Sequence, residues 1–202
     1  MSVKTFIKGS ILIATLSLMC GSCSNLDIEK LNNKAAELMQ QGDIDGAIGR
    51  LESIQDLNPN FPPTNYNLGL AYKEKKEYDK SIHYLIRAVE LKPDLYQAHL
   101  SLAVIYEELS DNLIQEEVKK IEKSDPDSVD TLEDISFTQE QQEKLSQYYT
   151  KAKMALEDYL KYAPAPNDKE LLKQKIVEFD KKITTYSSNT NIPKEPSIEK
   201  TE

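Results

Sequence analysis

The sequence predicts an all-α domain of stacked helix pairs, and three observations carry that expectation. Residue types recur at an offset of 34, each period holds two apolar stripes at helical spacing, and the periods close on proline, which cannot continue a helix. Reading the chain against itself without a gap aligns Ala35, Gly69 and Ala103; Leu38, Tyr72 and Tyr106; Ala47 and Ser81; Leu51 and Leu85; Pro59 and Pro93. Within each unit a polar break, Gln41-Gly42-Asp43 or Lys75-Lys76-Glu77, separates the two stripes.

Ahead of the repeats, Lys4 and Lys8 precede an apolar run from Ile11 to Met19, which extends at most from Phe6 to Met19 where Lys8, Gly9 and Ser10 are tolerated. As a helix it covers roughly 21 Å, short of the ~30 Å hydrocarbon core, so it reads as a leader rather than a span. Met19-Cys20-Gly21-Ser22-Cys23 follows directly and resembles the bacterial lipoprotein signal, in which small residues precede a Cys that is lipidated and becomes the mature N-terminus. Gly21 and Ser22 fit Cys23 as that residue, whereas Leu18 and Met19 are too bulky to precede a cut at Cys20; Cys20 itself departs from the usual Leu. The resemblance implies a leader over 1–22, an anchor and linker over 23–27, and an exported, envelope-facing location on a bacterial membrane. The plainer alternative is a secretory leader with two incidental cysteines.

The first unit, 28–61, and the second, 62–95, carry Leu68-Gly69, Tyr72, Leu85, Ala88 and Pro93, with Ala35, Leu38, Ala47, Leu51 and Pro59 at matching places. This pattern resembles the tetratricopeptide repeat, a helix-turn-helix unit of 34 residues. Asn65 stands where that family has Trp, and Lys34 where it has an apolar residue. The resemblance implies a right-handed α-solenoid of about three repeats. Small residues at 35, 69 and 103 have their own reason, since two helices approach closely only where no large side chain intervenes.

A third unit begins on time at Tyr96 with Leu102, Ala103 and Tyr106, breaks off, and resumes with Tyr149, Ala152, Leu156 and Pro164. The spacing predicts one repeat over 96–164 split by an insertion at about 110–144, and the first helix can run on through Leu113, Ile114, Val118 and Ile121 to Asp125-Pro126. Thr138 with Gln141 forms a capping box for the next helix. Beyond Pro164-Ala165-Pro166, the stripe Leu172, Ile176, Phe179 and Ile183 predicts a helix at about 168–186 that covers the last repeat, completing a domain over 28–186. The polar, proline-containing residues 187–202 read as a disordered tail.

Composition narrows the function. The chain has 202 residues with 34 acidic and 25 basic, a formal charge of −9, two His, two Cys and no Trp. Without a basic block, nucleic acid is excluded as the main partner. The segment from Glu107 to Lys144 holds 13 acids and 4 bases, a surplus equal to the whole charge of −9. That acidic stretch is either a solvated excursion or an arm toward a basic partner. Asp125, Asp127, Asp130 and Asp134 lack the glycine turn and spacing of a calcium loop, so no metal is expected. His83 falls on an exposed helix face, His99 in the Trp slot of the third unit, and neither has the neighbours of a catalytic site. No enzyme activity and no cofactor are expected.

By the family resemblance, the first helix of each unit lines a concave groove along three columns: Asn32, Tyr66 and Leu100; Ala36, Leu70 and Val104; Met39, Lys73 and Glu107. Asn67, Gln97 and Ser101 add hydrogen-bonding groups. Such a groove suits an amphipathic helix or an extended apolar peptide. Only Asn32 and Lys73 have the chemistry of the family's carboxylate-capturing branch, so that branch is set aside. The same apolar residues serve equally as inter-repeat core. The expectation is therefore a membrane-anchored scaffold that binds a protein or peptide; the alternative is a lipoprotein carrier whose insertion closes a pocket over an apolar small molecule.

Overall fold

A computed structural model describes residues 27–124 and 135–188. Among the described residues the chain is helical with no strand: α1 (27–40), α2 (Ile44–Leu57), α3 (Pro62–Glu74), α4 (Tyr78–Leu91), α5 (Tyr96–Ser124), α6 (Gln139–Tyr162) and α7 (Lys169–Ser188). Residues 1–26, with the expected leader and Cys23, residues 125–134, with Asp125, Asp127, Asp130 and Asp134, and residues 189–202 lie outside that description. The chain divides into two compact units that meet between Pro93 and Asp94.

In the first unit, α1 to α4 form two helix pairs. Ala35, Ala47, Leu51, Leu68, Leu85 and Ala88 are all fully buried. Removing such side chains from water is the main stabilising term, at roughly 25 cal/mol per Å². The α1–α2 turn is set by Gly42, whose φ of 83° lets Asp43 N–H reach Leu38 C=O at 2.9 Å and its own N–H reach Met39 C=O at 3.0 Å. Asp43 then caps α2, its Oδ1 accepting from Gly46 N–H at 3.0 Å. Pro62 and Pro63 open α3, where a missing N–H costs nothing.

Gly69 explains the small column. A Cβ there would lie 2.5 Å from Leu85 Cγ, and the approach lets Ser81 Oγ donate to Gly69 C=O at 2.6 Å. Asn65, in the Trp slot, is also fully buried; its Nδ2 donates to Pro59 C=O at 3.1 Å and Phe61 C=O at 3.0 Å. Hydrogen bonds to the inter-repeat turn replace the apolar volume of a Trp.

In the second unit the described part of the insertion is helical over 110–124 and 139–144 and non-helical over 135–138. It lengthens α5 to 29 residues and α6 to 24. Ile114 and Leu145 are buried with Tyr106, Tyr149, Ala152 and Leu156. The expected capping box is present: Gln141 N–H donates to Thr138 Oγ1 at 3.3 Å and Thr138 N–H to Gln141 Oε1 at 2.7 Å. Gln141 also ties the start of α6 to α5, donating from Nε2 to Glu117 at 2.7 Å.

The covering helix begins one residue later and ends two residues later than the stripe predicts, so residues 187 and 188 belong to α7 and not to a tail. It buries Leu172 and Phe179, with Ile176 and Ile183 half-buried on the same face. The Phe179 ring sits 5.6 Å from that of Tyr149, and Tyr186 stacks on Tyr149 at 6.0 Å. Offset ring pairs of this kind add about 0.5–1.5 kcal/mol beyond area burial.

Candidate functional site

The residues expected to line a groove fall into two sets, one on α1 and α3 of the first unit and one on α5 of the second. On α1, Asn32, Ala36 and Met39 follow i, i+4, i+7 spacing; on α3, Tyr66, Leu70 and Lys73 do the same, with Asn67 beside them. Ala36, Met39, Tyr66, Asn67, Leu70 and Lys73 are half-buried, and Met39 packs against the first unit's core.

Asn32 departs from the expectation. It is only 2% exposed, and its Nδ2 donates to Ile28 C=O at 3.0 Å and to Thr64 Oγ1 at 2.8 Å. Its Oδ1 accepts from Asn67 Nδ2 at 3.2 Å. A buried amide has to satisfy its donors and acceptor inside the protein, so Asn32 fixes Asn67 from behind and presents no surface of its own. Thr64, which the columns omit, completes this network. Its signal in the sequence is weak, since a hydroxyl three residues before Asn67 is common on helix surfaces.

Lys73 forms no ion pair among the described residues. The α1–α3 face therefore joins apolar Ala36, Met39 and Leu70 to an oriented amide and the Lys73 cation.

On α5, Gln97 is exposed, Leu100 and Ser101 are half-buried, and Val104 is 41% exposed. Ser101 Oγ donates to Gln97 C=O at 2.9 Å, the back-bond usual for a mid-helix Ser. Glu107 is engaged within the unit: Lys175 Nζ of α7 meets its Oε2 at 2.6 Å. Sequence reasoning missed this charged cluster, in which Glu107 and Asp111 of α5 interact with Lys175, Glu178 and Lys182 of α7. Asp111 is an exposed residue, but partial desolvation of its carboxyl, reinforced by the Glu107 carboxylate, raises it above the usual range, and the two lysines oppose the shift.

The histidines have structural surroundings. His83 is exposed. His99 is 7% exposed, stacked on Tyr162 at 5.7 Å with its Nδ1 3.8 Å from Asp158. Among the described residues no group of three or more His, Cys, Asp or Glu could hold a metal ion. None of the described helices is long and apolar enough to cross a membrane.

With this geometry in place, residues 62–95 match the tetratricopeptide repeat family model, the span of the second unit read from the sequence. The fold is of the tetratricopeptide type. Its helix pairs are similar to those of the first tetratricopeptide domain of Spaghetti (RPAP3), solved bound to the HSP90 peptide SRMEEVD, with 16% identity, a TM-score of 0.52, and coverage of 76% of this chain and 90% of that one. They are similar as well to the tetratricopeptide domain of Sgt2 from Aspergillus fumigatus, at 14% identity and a TM-score of 0.52, covering 87% of this chain and 91% of the other. No curated protein sequence matches the chain.

Proposed function

We propose that this tetratricopeptide-type chain is a protein-interaction scaffold of the bacterial envelope, anchored through a lipid on Cys23, and that it binds an amphipathic helix or an extended apolar peptide. The observation that carries the reading is the α1–α3 face, where Asn67 is held by the buried Asn32 beside half-buried Leu70 and Met39. A fixed amide can pair with a ligand's backbone while the apolar side chains take its side chains, and pre-orientation reduces the entropy lost on binding. The peptide bound by the Spaghetti domain supports the same use of this fold. The motif ending at Cys23 supports the anchor, because burying acyl methylenes contributes about 0.8 kcal/mol each and two or more chains hold a protein stably. Tethering raises the effective concentration of partners already at the membrane, so modest affinity is sufficient.

Crosslinking in intact cells, followed by affinity capture, identifies the partner. Tyr66→Ala with Leu70→Asp should then abolish its capture while helicity and membrane attachment persist, and undiminished capture would remove the face from the model. Cys23→Ala should release the folded chain from the membrane fraction; unchanged fractionation would refute the lipid anchor.

A further inference from the structure

The first repeat presents an apolar notch on the side of α2 turned away from α3. Leu31, Gly46, Gly49, Arg50, Ser53, Ile54 and Leu57 line about 380 Å³. Leu57 is 76% exposed there, the highest value among the large apolar side chains described.

The 34-residue register explains what kind of surface this is. Arg50 corresponds to Tyr84 and Ser53 to Arg87. In α4, Tyr84 packs against the core formed with the first helix pair, and Arg87 Nη2 donates to Asn60 Oδ1 at 2.7 Å. This side of a second helix is therefore built to be covered by what precedes it, and in α2 it is open. An end repeat ordinarily carries a polar outer face.

Two further features point outward. Gly49 lies inside α2, where glycine costs about 1 kcal/mol relative to alanine, yet a Cβ there would meet nothing within 4 Å. The chain's own packing does not require this glycine. Arg50 forms no ion pair among the described residues, although it borders the notch.

We propose that this notch rests on the bilayer, with the acyl region of an anionic phospholipid against Leu31 and Leu57 and its phosphate against Arg50. The proposal rests on the anchor reading and extends it from a tether to an oriented surface. With lipid on Cys23, only residues 24–26 separate it from α1. That is too few to supply a helix pair for the notch, and at ~3.5 Å per residue short enough to keep the first repeat within about 10–15 Å of the membrane. A cation at the rim of an apolar surface matches the order of phosphate and acyl chain in a leaflet.

The test places a single environment-sensitive dye on the full lipidated chain by Leu57→Cys or, as the control, Met154→Cys on α6; both native side chains are more than half exposed. The protein is reconstituted into vesicles of phosphatidylethanolamine and phosphatidylglycerol containing a quencher on the acyl chain. Emission at position 57 should shift to the blue and be quenched, position 154 should show neither effect, and Arg50→Glu should reduce the quenching. If the protein floats with the vesicles while the dye at 57 still reports water, the notch proposal fails and the anchor stands. Absence of flotation overturns both. A blue shift at 57 that needs no vesicles and grows with protein concentration overturns the proposal in favour of a second copy of the chain.

Discussion

Lys76 occupies in the second repeat the backbone conformation that Gly42 occupies in the first, with φ of 60° against 83°. Both close their helices with the same two bonds: Glu77 N–H reaches Tyr72 C=O at 3.0 Å and Lys76 N–H reaches Lys73 C=O at 2.8 Å, one period beyond the pair at Gly42. A left-handed residue with a Cβ costs about 1–2 kcal/mol, part of which glycine forfeits through its freer unfolded chain. Lys76→Gly should therefore stabilise the first unit by up to about 1 kcal/mol. Urea denaturation measures it, and a destabilised variant would mean that the lysine side chain contributes more than its backbone costs.

The reverse holds at Gly69. An added methyl would lie 2.5 Å from Leu85 Cγ and 3.3 Å from the Leu85 backbone nitrogen. The side chain can shift, but the backbone of α4 follows only by opening the helix pair. Gly69→Ala should destabilise by about 1–3 kcal/mol, the usual range for overpacking, and should weaken the Ser81 to Gly69 bond with it. Unchanged thermal stability would show that α3 and α4 are not held at this separation.

The repeat was legible because its physics is periodic. Ala47, Leu51, Leu68 and Leu85 recur at fixed intervals and are buried, and the Thr138–Gln141 box could be read from two residues because a capping bond is local. The site was less legible. Asn32 differs from an exposed groove residue only by what stands opposite it on α3, and no spacing within α1 reports Thr64. Glu107 meets Lys175 from a helix 68 positions further along the chain, a pairing that depends on how α7 crosses α5. The helical course of the insertion was signalled by Leu113, Ile114, Val118 and Ile121, whose stripe continues the first helix of the third unit.

The two amides on the α1–α3 face should separate stability from binding. Asn32→Ala removes the donors to Ile28 and Thr64 and leaves Asn67 Nδ2 without its acceptor. Leaving buried partners unsatisfied costs about 1–3 kcal/mol, readable as a lower denaturation midpoint. Asn67→Ala, at a half-buried position with one inter-helix bond, should cost less than about 1 kcal/mol and still weaken peptide capture. Equal stability losses in the two variants would contradict the buried-amide account.

Asp111 supplies a pH-dependent prediction. Partial desolvation of this surface carboxyl first, and then the Glu107 carboxylate, raise it above the usual range, while Lys182 and Lys175 oppose the shift. A group that holds its proton more tightly when folded contributes stability below its unfolded value, about 3.9 for Asp, and loses that contribution as pH rises through the folded value. At pH 7 the side chain is ionised in both states, and the folded state accommodates that charge less well than water does. Asp111→Asn should accordingly raise the melting temperature at neutral pH, and the difference should shrink as pH falls below about 4. Melting curves of both proteins at the two pH values check it. A variant less stable than its parent at pH 7 would show that attraction to Lys175 and Lys182 outweighs the repulsion from Glu107.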